Sequence, residues 1–139
     1  MASMTLDEKI GQMVQVDMNA LKDKSDIQRY GFGSMLSGGD SDPADISPTG
    51  WLNACSEYQQ WALKTRLHIP LIYGIDAVHG HNNVDGAVIF PHNIGLGATR
   101  NPSLVQKAAR ITAQEVAGTG TCDAATDPGK SLGHEFLLH

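Results

Sequence analysis

The apolar residues near the start of the chain recur at the spacing of an α-helix. Residues 5–8, Thr-Leu-Asp-Glu, fit a capping box in which Thr5 is the N-cap and Glu8 reaches back to it. The apolar positions that follow at helical spacing are Leu6, Ile10, Met13 and Val14. We therefore predict an amphipathic helix from Thr5 to about Asp17.

Two further helices are predicted, over residues 48–66 and from residue 101 to Gly118 or Gly120. Pro48-Thr49 opens the first of these, and one face of it carries Trp51, Cys55, Tyr58 and Ala62. Asn101-Pro102 opens the other, because an N-cap followed by proline is a strong helix start. Its apolar positions predict a wide buried face: Leu104, Val105, Ala108, Ala109, Ile111, Thr112 and Val116.

Two short apolar runs between the helices predict β-strands. Residues 31–37, GFGSMLS, form the first and are ended by Gly38-Gly39. Residues 71–75 form the second, and their continuous apolar character is typical of a strand buried on both faces of a parallel sheet. A short extended piece at residues 87–90 is closed by Pro91. Because strands alternate with helices, we predict an α/β fold in which the strands pair in parallel through right-handed crossovers.

Composition narrows the class of protein and of partner. The 139 residues suffice for one domain, and 41% of them are hydrophobic, as is ordinary for a globular protein. A net charge of −5 argues against nucleic acid as a partner. The chain contains no run of about 18 apolar residues, so no transmembrane helix is predicted. Its first residues lack the apolar segment of a signal peptide. The sequence leaves the compartment unknown. Cys55 and Cys122 match no metal or redox spacing.

A cluster of polar residues follows the second predicted strand. It holds six hydrogen-bonding side chains within ten residues: Asp76, His79, His81, Asn82, Asn83 and Asp85. In α/β folds, ligands sit at the carboxyl ends of the strands. The sequence therefore predicts that this segment is part of a binding or catalytic site.

The same segment carries a family resemblance. YGIDAVHGHNN (73–83) and AVIFPHNIGLGATRNPSLV (87–105) resemble the N-terminal domain of glycoside hydrolase family 3, the β-glucosidases and β-glucan exohydrolases. MTLDEKIGQMVQVD (4–17) and GFGSMLSGGDS (31–41) resemble the same family in the same order. The resemblance implies that residues 1–120 form the N-terminal part of a (β/α)8 TIM-type barrel, incomplete because a whole barrel needs about 250 residues.

Residues 121–139 depart from the family pattern. Relatives continue with a further strand and a motif like RDPRWGR, whereas this chain reads TCDAATDPGK and then SLGHEFLLH. We expect an unrelated or disordered tail, and a diverged but folded end is the alternative. On either interpretation the chain is expected to be a fragment or a truncated gene product.

The resemblance also implies a chemistry. Family 3 enzymes hydrolyse β-linked glucosides by the retaining mechanism, which uses two carboxyl groups roughly 5–5.5 Å apart. The family positions of the nucleophile and of the acid/base fall beyond this sequence, so we expect a hydrolase fragment that is inactive alone. The expected partner is a small β-glucoside or β-glucan oligosaccharide, with no cofactor and no metal. The alternative is a non-catalytic remnant that binds sugar.

By the same resemblance, Asp76 binds hydroxyls of the non-reducing glucosyl unit. The alternative is that Asp76 merely caps the turn after its strand. His79 and His81, with His92, would suit zinc and so a metal-dependent hydrolase. We favour instead that these histidines hold the loop backbone or Asp76 in place. Asn82 and Asn83 are expected to form a turn or to tie the loop down.

Three other features admit ligand-binding interpretations that we disfavour. Trp51 and Trp61 could stack on sugar rings, but Trp51 falls on the apolar face of its predicted helix and is expected in the core. Residues 95–99, GLGAT, lack the lysine of a phosphate-binding loop. Asp40, in the loop after the first strand, is expected to be a solvated aspartate.

Overall fold

The computed structural model describes residues 3–120, so the tail predicted at residues 121–139 lies outside the described residues. The helices are α1 (Leu6–Gln12), α2 (Ser25–Tyr30), α3 (Pro48–Leu63), α4 (Asn93–Ala98) and α5 (Pro102–Gly118). The strands are β1 (Gln15–Asp17), β2 (Ser34–Gly38) and β3 (Ile72–Asp76), and a 3₁₀ turn covers Met18–Ala20. None of the described helices combines the length and the apolar character that a membrane span requires.

The three strands form one parallel sheet in the order β1-β2-β3. Gln15 pairs with Ser34, and Ser34 pairs in turn with Ile72. Helices connect the strands, as the right-handed crossovers of a parallel sheet require. The predicted α/β class and its parallel pairing are confirmed.

Helix α1 ends earlier than predicted. The capping box is present, since Thr5 and Glu8 exchange both expected hydrogen bonds. The helix stops at Gln12, however, and Gly11 in its last turn packs directly on the backbone of residues 30–31, where a Cβ would collide. The chain then pairs with β2, so residues 15–17 are a strand and not the last turn of a helix. The apolar face that helical spacing predicted is exposed at its main positions, Leu6, Ile10 and Met13.

Two short helices were not predicted. Helix α2 begins after Asp23, whose carboxylate accepts the backbone N–H of Ser25, and it ends at Gly31, which adopts the left-handed conformation. Helix α4 contains two glycines and begins at His92, whose Nδ1 accepts the backbone N–H of Ile94. Both helices have six residues, too few for apolar periodicity to reveal them.

Helix α3 supplies one side of the core. Ser47 caps it by accepting the backbone N–H of Gly50, and its predicted buried face is confirmed at Trp51, Cys55, Tyr58 and Ala62. These residues pack with Ile27 of α2, with the strand residues Met35 and Tyr73, and with Leu71, which immediately precedes β3. Trp51 is a fully buried core residue, as predicted, so it does not present its ring to a ligand.

Strand β3 is buried on one face only, which contradicts the prediction. Tyr73 is buried, whereas Ile72 is 69% exposed. Within residues 3–120, β3 pairs with β2 alone, so its other edge carries unpaired backbone groups. A strand needs neighbours on all sides to bury both faces, and a continuous apolar run cannot report whether those neighbours are present.

Helix α5 begins and ends as predicted but buries less. Asn101 caps it by accepting the backbone N–H of Leu104, and Gly118 is its last residue. Of the predicted face only Ala108 and Val116 are buried, while Leu104 and Ile111 are exposed. Helix α5 packs chiefly on α4 and not on the sheet. Its buried stripe is therefore narrower than the sequence predicted.

The open edge of β3 predicts self-association. An unpaired, apolar strand edge is a template for pairing with another chain, and lysine on an edge strand opposes it. We expect the purified chain to sediment as oligomers, and Ile72→Lys to shift it towards monomer at an unchanged circular dichroism spectrum. Ile46→Lys, at an exposed isoleucine before α3, is the matched control and should change nothing. A wild-type monomer with a sharp, reversible melt would contradict this account.

Candidate functional site

The carboxyl ends of the three strands lie at one edge of the sheet. Asp17 ends β1, Gly38 ends β2, and Asp76 ends β3. Gly38 and Asp76 are paired in the register of the sheet. Because ligands bind at this edge in parallel α/β folds, it is the candidate site.

Asp76 presents an unengaged carboxylate at this edge. Its side chain is exposed, and it makes no hydrogen bond or ion pair with any other residue of the described range 3–120. Gly38 leaves room beside it, since a Cβ on Gly38 would lie 2.8 Å from the backbone nitrogen of Asp76 and 3.0 Å from its Cβ. The turn-capping interpretation requires a hydrogen bond from the turn to this carboxylate, and the described residues supply none. The sugar-binding interpretation requires a carboxylate that is free to accept, and Asp76 is one.

Asp17 is a second carboxylate at the same edge, and it was not predicted from the sequence. The hydroxyl of Ser41 donates to its two oxygens, at 2.8 and 2.7 Å, and the backbone N–H of Asn19 donates to Oδ1 at 2.8 Å. The bond from Ser41, with the backbone bond from Asn19, holds the pKa of Asp17 below its usual value. Asp17 is therefore engaged in joining the loops after β1 and β2. The sequence analysis missed Asp17 because the predicted helix extended over residues 15–17, so the strand that ends at this aspartate was not recognised.

Asn83 connects the loop after β3 to the loop after β2. Its Nδ2 donates to the carbonyl of Gly39 at 2.9 Å and to Oδ2 of Asp42 at 3.0 Å. Its own backbone carbonyl accepts the indole N–H of Trp51 at 3.2 Å. These contacts support the predicted role of Asn83 in tying the loop down. The side-chain oxygen of Asn82 is buried and has no partner among the described residues, so the role predicted for Asn82 stays a prediction.

His81 is fully buried beneath the same loop. Its Nε2 lies 2.9 Å from the hydroxyl oxygen of Thr119, and its ring lies 5.4 Å from that of Trp51. The Thr119 hydroxyl donates to the carbonyl of Val116, so it accepts from Nε2–H and leaves Nδ1 of His81 unprotonated. Burial lowers the pKa of His81, and the nearby carboxylates of Glu115 and Asp42 offset part of that effect. His81 thus fastens the site loop to the end of α5 as a neutral ring.

His79 and His92 form a separate pair. Their ring centroids are 5.2 Å apart in an edge-on arrangement, and Nδ1 of His79 lies 3.2 Å from the carbonyl oxygen of Phe90. The structure therefore does not bring the three histidines of the zinc interpretation together, because His81 is held on Thr119. Within residues 3–120 no three or more histidine, cysteine or acidic side chains are placed to hold a metal ion. The contacts of His79 and His81 with backbone and core support their role in positioning the loop.

Comparison with known proteins identifies the ancestry of these features. The sequence profile of the glycosyl hydrolase family 3 N terminal domain matches residues 5–125. The chain is 36% identical to a lysosomal beta glucosidase of Dictyostelium discoideum, over 86% of this chain and 17% of that protein. It is 32% identical to a periplasmic beta-glucosidase of Salmonella typhimurium, over 84% of this chain and 14% of that protein.

A solved structure shows the same arrangement of elements. The crystal structure of an exo-1,3/1,4-beta-glucanase from a Pseudoalteromonas species matches 86% of this chain and 15% of its own, at a TM-score of 0.77 and 42% identity. The predicted fold class, an α/β part of a TIM-type barrel, is confirmed. The chain spans less than a fifth of the length of these relatives.

The buried His81 predicts a specific loss of stability in mild acid. Because its pKa is lower in the folded chain than the ordinary value of 6.5, the unfolded chain binds the proton first as the pH falls. The stability tied to neutral His81 is complete above about pH 6.5 and is lost progressively towards its folded pKa. Urea unfolding from about pH 7.5 to 5.5 should therefore show a steeper loss for wild type than for His81→Asn. Parallel slopes for the two proteins would contradict the assignment of His81 as a buried, neutral ring.

Proposed function

The chain belongs to glycosyl hydrolase family 3, and from this premise we propose that residues 1–120 supply the sugar-binding edge of a β-glucosidase-like barrel. In this proposal Asp76 binds hydroxyls of the glucosyl unit that occupies the edge. The observation that carries it is the exposed carboxylate of Asp76, unengaged by the other described residues at the carboxyl end of β3. The ligand is a β-glucoside or a β-glucan oligosaccharide.

The chemistry of a carboxylate suits this role. An ionised carboxylate accepts charge-assisted hydrogen bonds at both oxygens, so it can bind two adjacent hydroxyls of one sugar ring. Asp17 cannot do the same without giving up the bonds from Ser41 and Asn19. The two aspartates at the edge therefore have different functions. Asp17 shapes the loops, and Asp76 faces the ligand.

His79, His81, Asn82 and Asn83 support the site in this proposal. His81 and Asn83 connect the loop after β3 to α5 and to the loop after β2. A loop fixed at both of these points keeps the backbone next to Asp76 in one conformation, which reduces the entropy lost when a ligand binds. Neither a cofactor nor a metal ion enters the proposal.

Hydrolysis needs more than this edge provides. The retaining mechanism requires a nucleophile and an acid/base, and by the family resemblance neither is matched in this sequence. We propose that in a complete barrel Asp76 binds the sugar while those two carboxyl groups form and break the glycosyl–enzyme bond. The alternative is a non-catalytic protein in which Asp76 binds sugar without turnover.

The first expected outcome is that the 139-residue chain does not hydrolyse an aryl β-glucoside. Without a positioned nucleophile and acid, the terms that covalent and acid/base catalysis supply are missing. Release of the aryl group should equal the buffer rate at every protein concentration. Turnover that rises with protein concentration and survives Asp76→Ala would contradict the proposal, because it would require a catalytic pair elsewhere in the chain.

The second expected outcome concerns a fusion protein, in which this chain is joined to a homologous remainder of the barrel and to the second domain. Asp76→Ala should lower kcat/KM about 100-fold or more, because hydroxyl bonds to a charged partner strengthen as the ring flattens in the transition state. The loss should appear in kcat as well as in KM. Asp85→Ala, at an exposed aspartate of the same loop, is the matched control and should act as wild type. If Asp76→Ala instead lowered the fraction of folded protein while the folded molecules kept wild-type kinetics, the turn-capping role would be supported.

A further inference from the structure

A cavity of about 420 Å³ lies between the loop after β2 and α3. Its polar lining includes Asn19, Lys24, Asp42, Asn53, Glu57 and Tyr58. Asp76 is not among its lining residues. The volume falls within the range that small-molecule sites occupy, about 300–1,000 Å³.

Tyr58 is the residue that points to a ligand. Its side chain is 6% exposed and its ring is stacked on that of Tyr73, with the centroids 6.0 Å apart. Its hydroxyl has no hydrogen-bond partner among residues 3–120 and is not itself closed off from solvent. Burial raises the pKa of this hydroxyl, so it remains a donor at neutral pH. An accessible hydroxyl that lines a cavity and has no partner among the described residues can donate to a bound molecule.

The cavity also offers one side-chain amide that has no partner among the described residues. Asp42 binds Asn83 through Oδ2, and its Oδ1 is closed off from solvent, so this carboxylate is not available to a molecule in the cavity. Asn53 lines the cavity from α3, and its side chain makes no hydrogen bond within residues 3–120, so its amide offers both a donor and an acceptor. A ligand that fits must therefore donate and accept hydrogen bonds at several points. Hydroxyl groups do both.

The charges around the cavity are already engaged by other groups of the chain. Lys24 pairs with Glu57 at 2.7 Å, and the carboxylate of Asp45 accepts the backbone N–H of Ser47 at 3.0 Å. A ligand with a net charge would have to compete with these contacts. The remaining wall is apolar, formed by Met18, Pro43, Ala44 and Ala54. Hydrogen-bonding groups beside an apolar wall match a molecule that has hydroxyls along its edge and C–H groups on its faces.

We propose that this cavity is a second carbohydrate-binding site, which takes one pyranose unit or a polyol of similar size. Tyr58 donates to a ligand hydroxyl, and the side-chain amide of Asn53 donates to one hydroxyl and accepts from another. The site is independent of Asp76 and does not require that the chain take part in hydrolysis.

The test is saturation-transfer-difference NMR on the 139-residue chain, with methyl β-glucopyranoside as the probe. This method works at low protein concentration and tolerates self-association. We expect saturation of the ring protons in wild type, and a dissociation constant about tenfold higher in Tyr58→Phe, which loses only the hydroxyl. Tyr30→Phe, at an exposed tyrosine, is the matched control and should bind as wild type. Asn53→Ala, on the surface of α3, should weaken binding as well and covers the case in which Tyr58→Phe fails to fold.

Three results would overturn the proposal. One is an absence of transfer to the probe in folded wild type. Another is equal affinity in wild type, Tyr58→Phe and Asn53→Ala. The last is loss of all transfer in Asp76→Ala, which would place the sugar at the edge of the sheet. Retention of the Tyr58-dependent signal in Asp76→Ala is the outcome that supports a separate site.

Discussion

The parallel register of β1, β2 and β3 is the constraint on which the rest of the structure depends. It places Asp17, Gly38 and Asp76 at one edge, since each residue ends its strand on the same side of the sheet. The register is specified by burial, because a slip of one residue would move Met35 and Tyr73 out of the core. Core packing and the geometry of the candidate site are therefore consequences of the same pairing.

Trp51 links that core to the site loop. Its indole ring is fully buried among the core residues, and its N–H donates to the backbone of Asn83. The ring of His81 packs against it from the loop and reaches Thr119 at the end of α5. Trp51 thus contacts residues of the sheet, the backbone of the loop after β3, and His81, which bonds to the end of α5. This arrangement explains how a long loop can hold one conformation next to Asp76.

The sequence predicted best those elements that local interactions determine. Helices α3 and α5 were located by their N-terminal prolines and caps, and the buried face of α3 by its periodicity. Strand β1 was missed because three residues carry no pattern of their own and become a strand only by pairing with β2. The one-sided burial of β3 depends on which neighbours surround it, and no property of its own residues encodes that. Asp76 was predicted as a site residue from its position after an apolar strand, and its role in sugar binding from the family resemblance, whereas Asp17 and Tyr58 required the three-dimensional structure.

The central claim is that Asp76 is held free at the sheet edge in order to bind sugar hydroxyls. The most direct test is a crystal structure, with a glucosyl ligand, of this chain joined to a homologous remainder of the barrel. The account predicts both oxygens of Asp76 within about 2.5–3.0 Å of two adjacent hydroxyls of one ring. A bound sugar whose hydroxyls bypass Asp76, with that carboxylate accepting backbone N–H groups of its own turn, would contradict it.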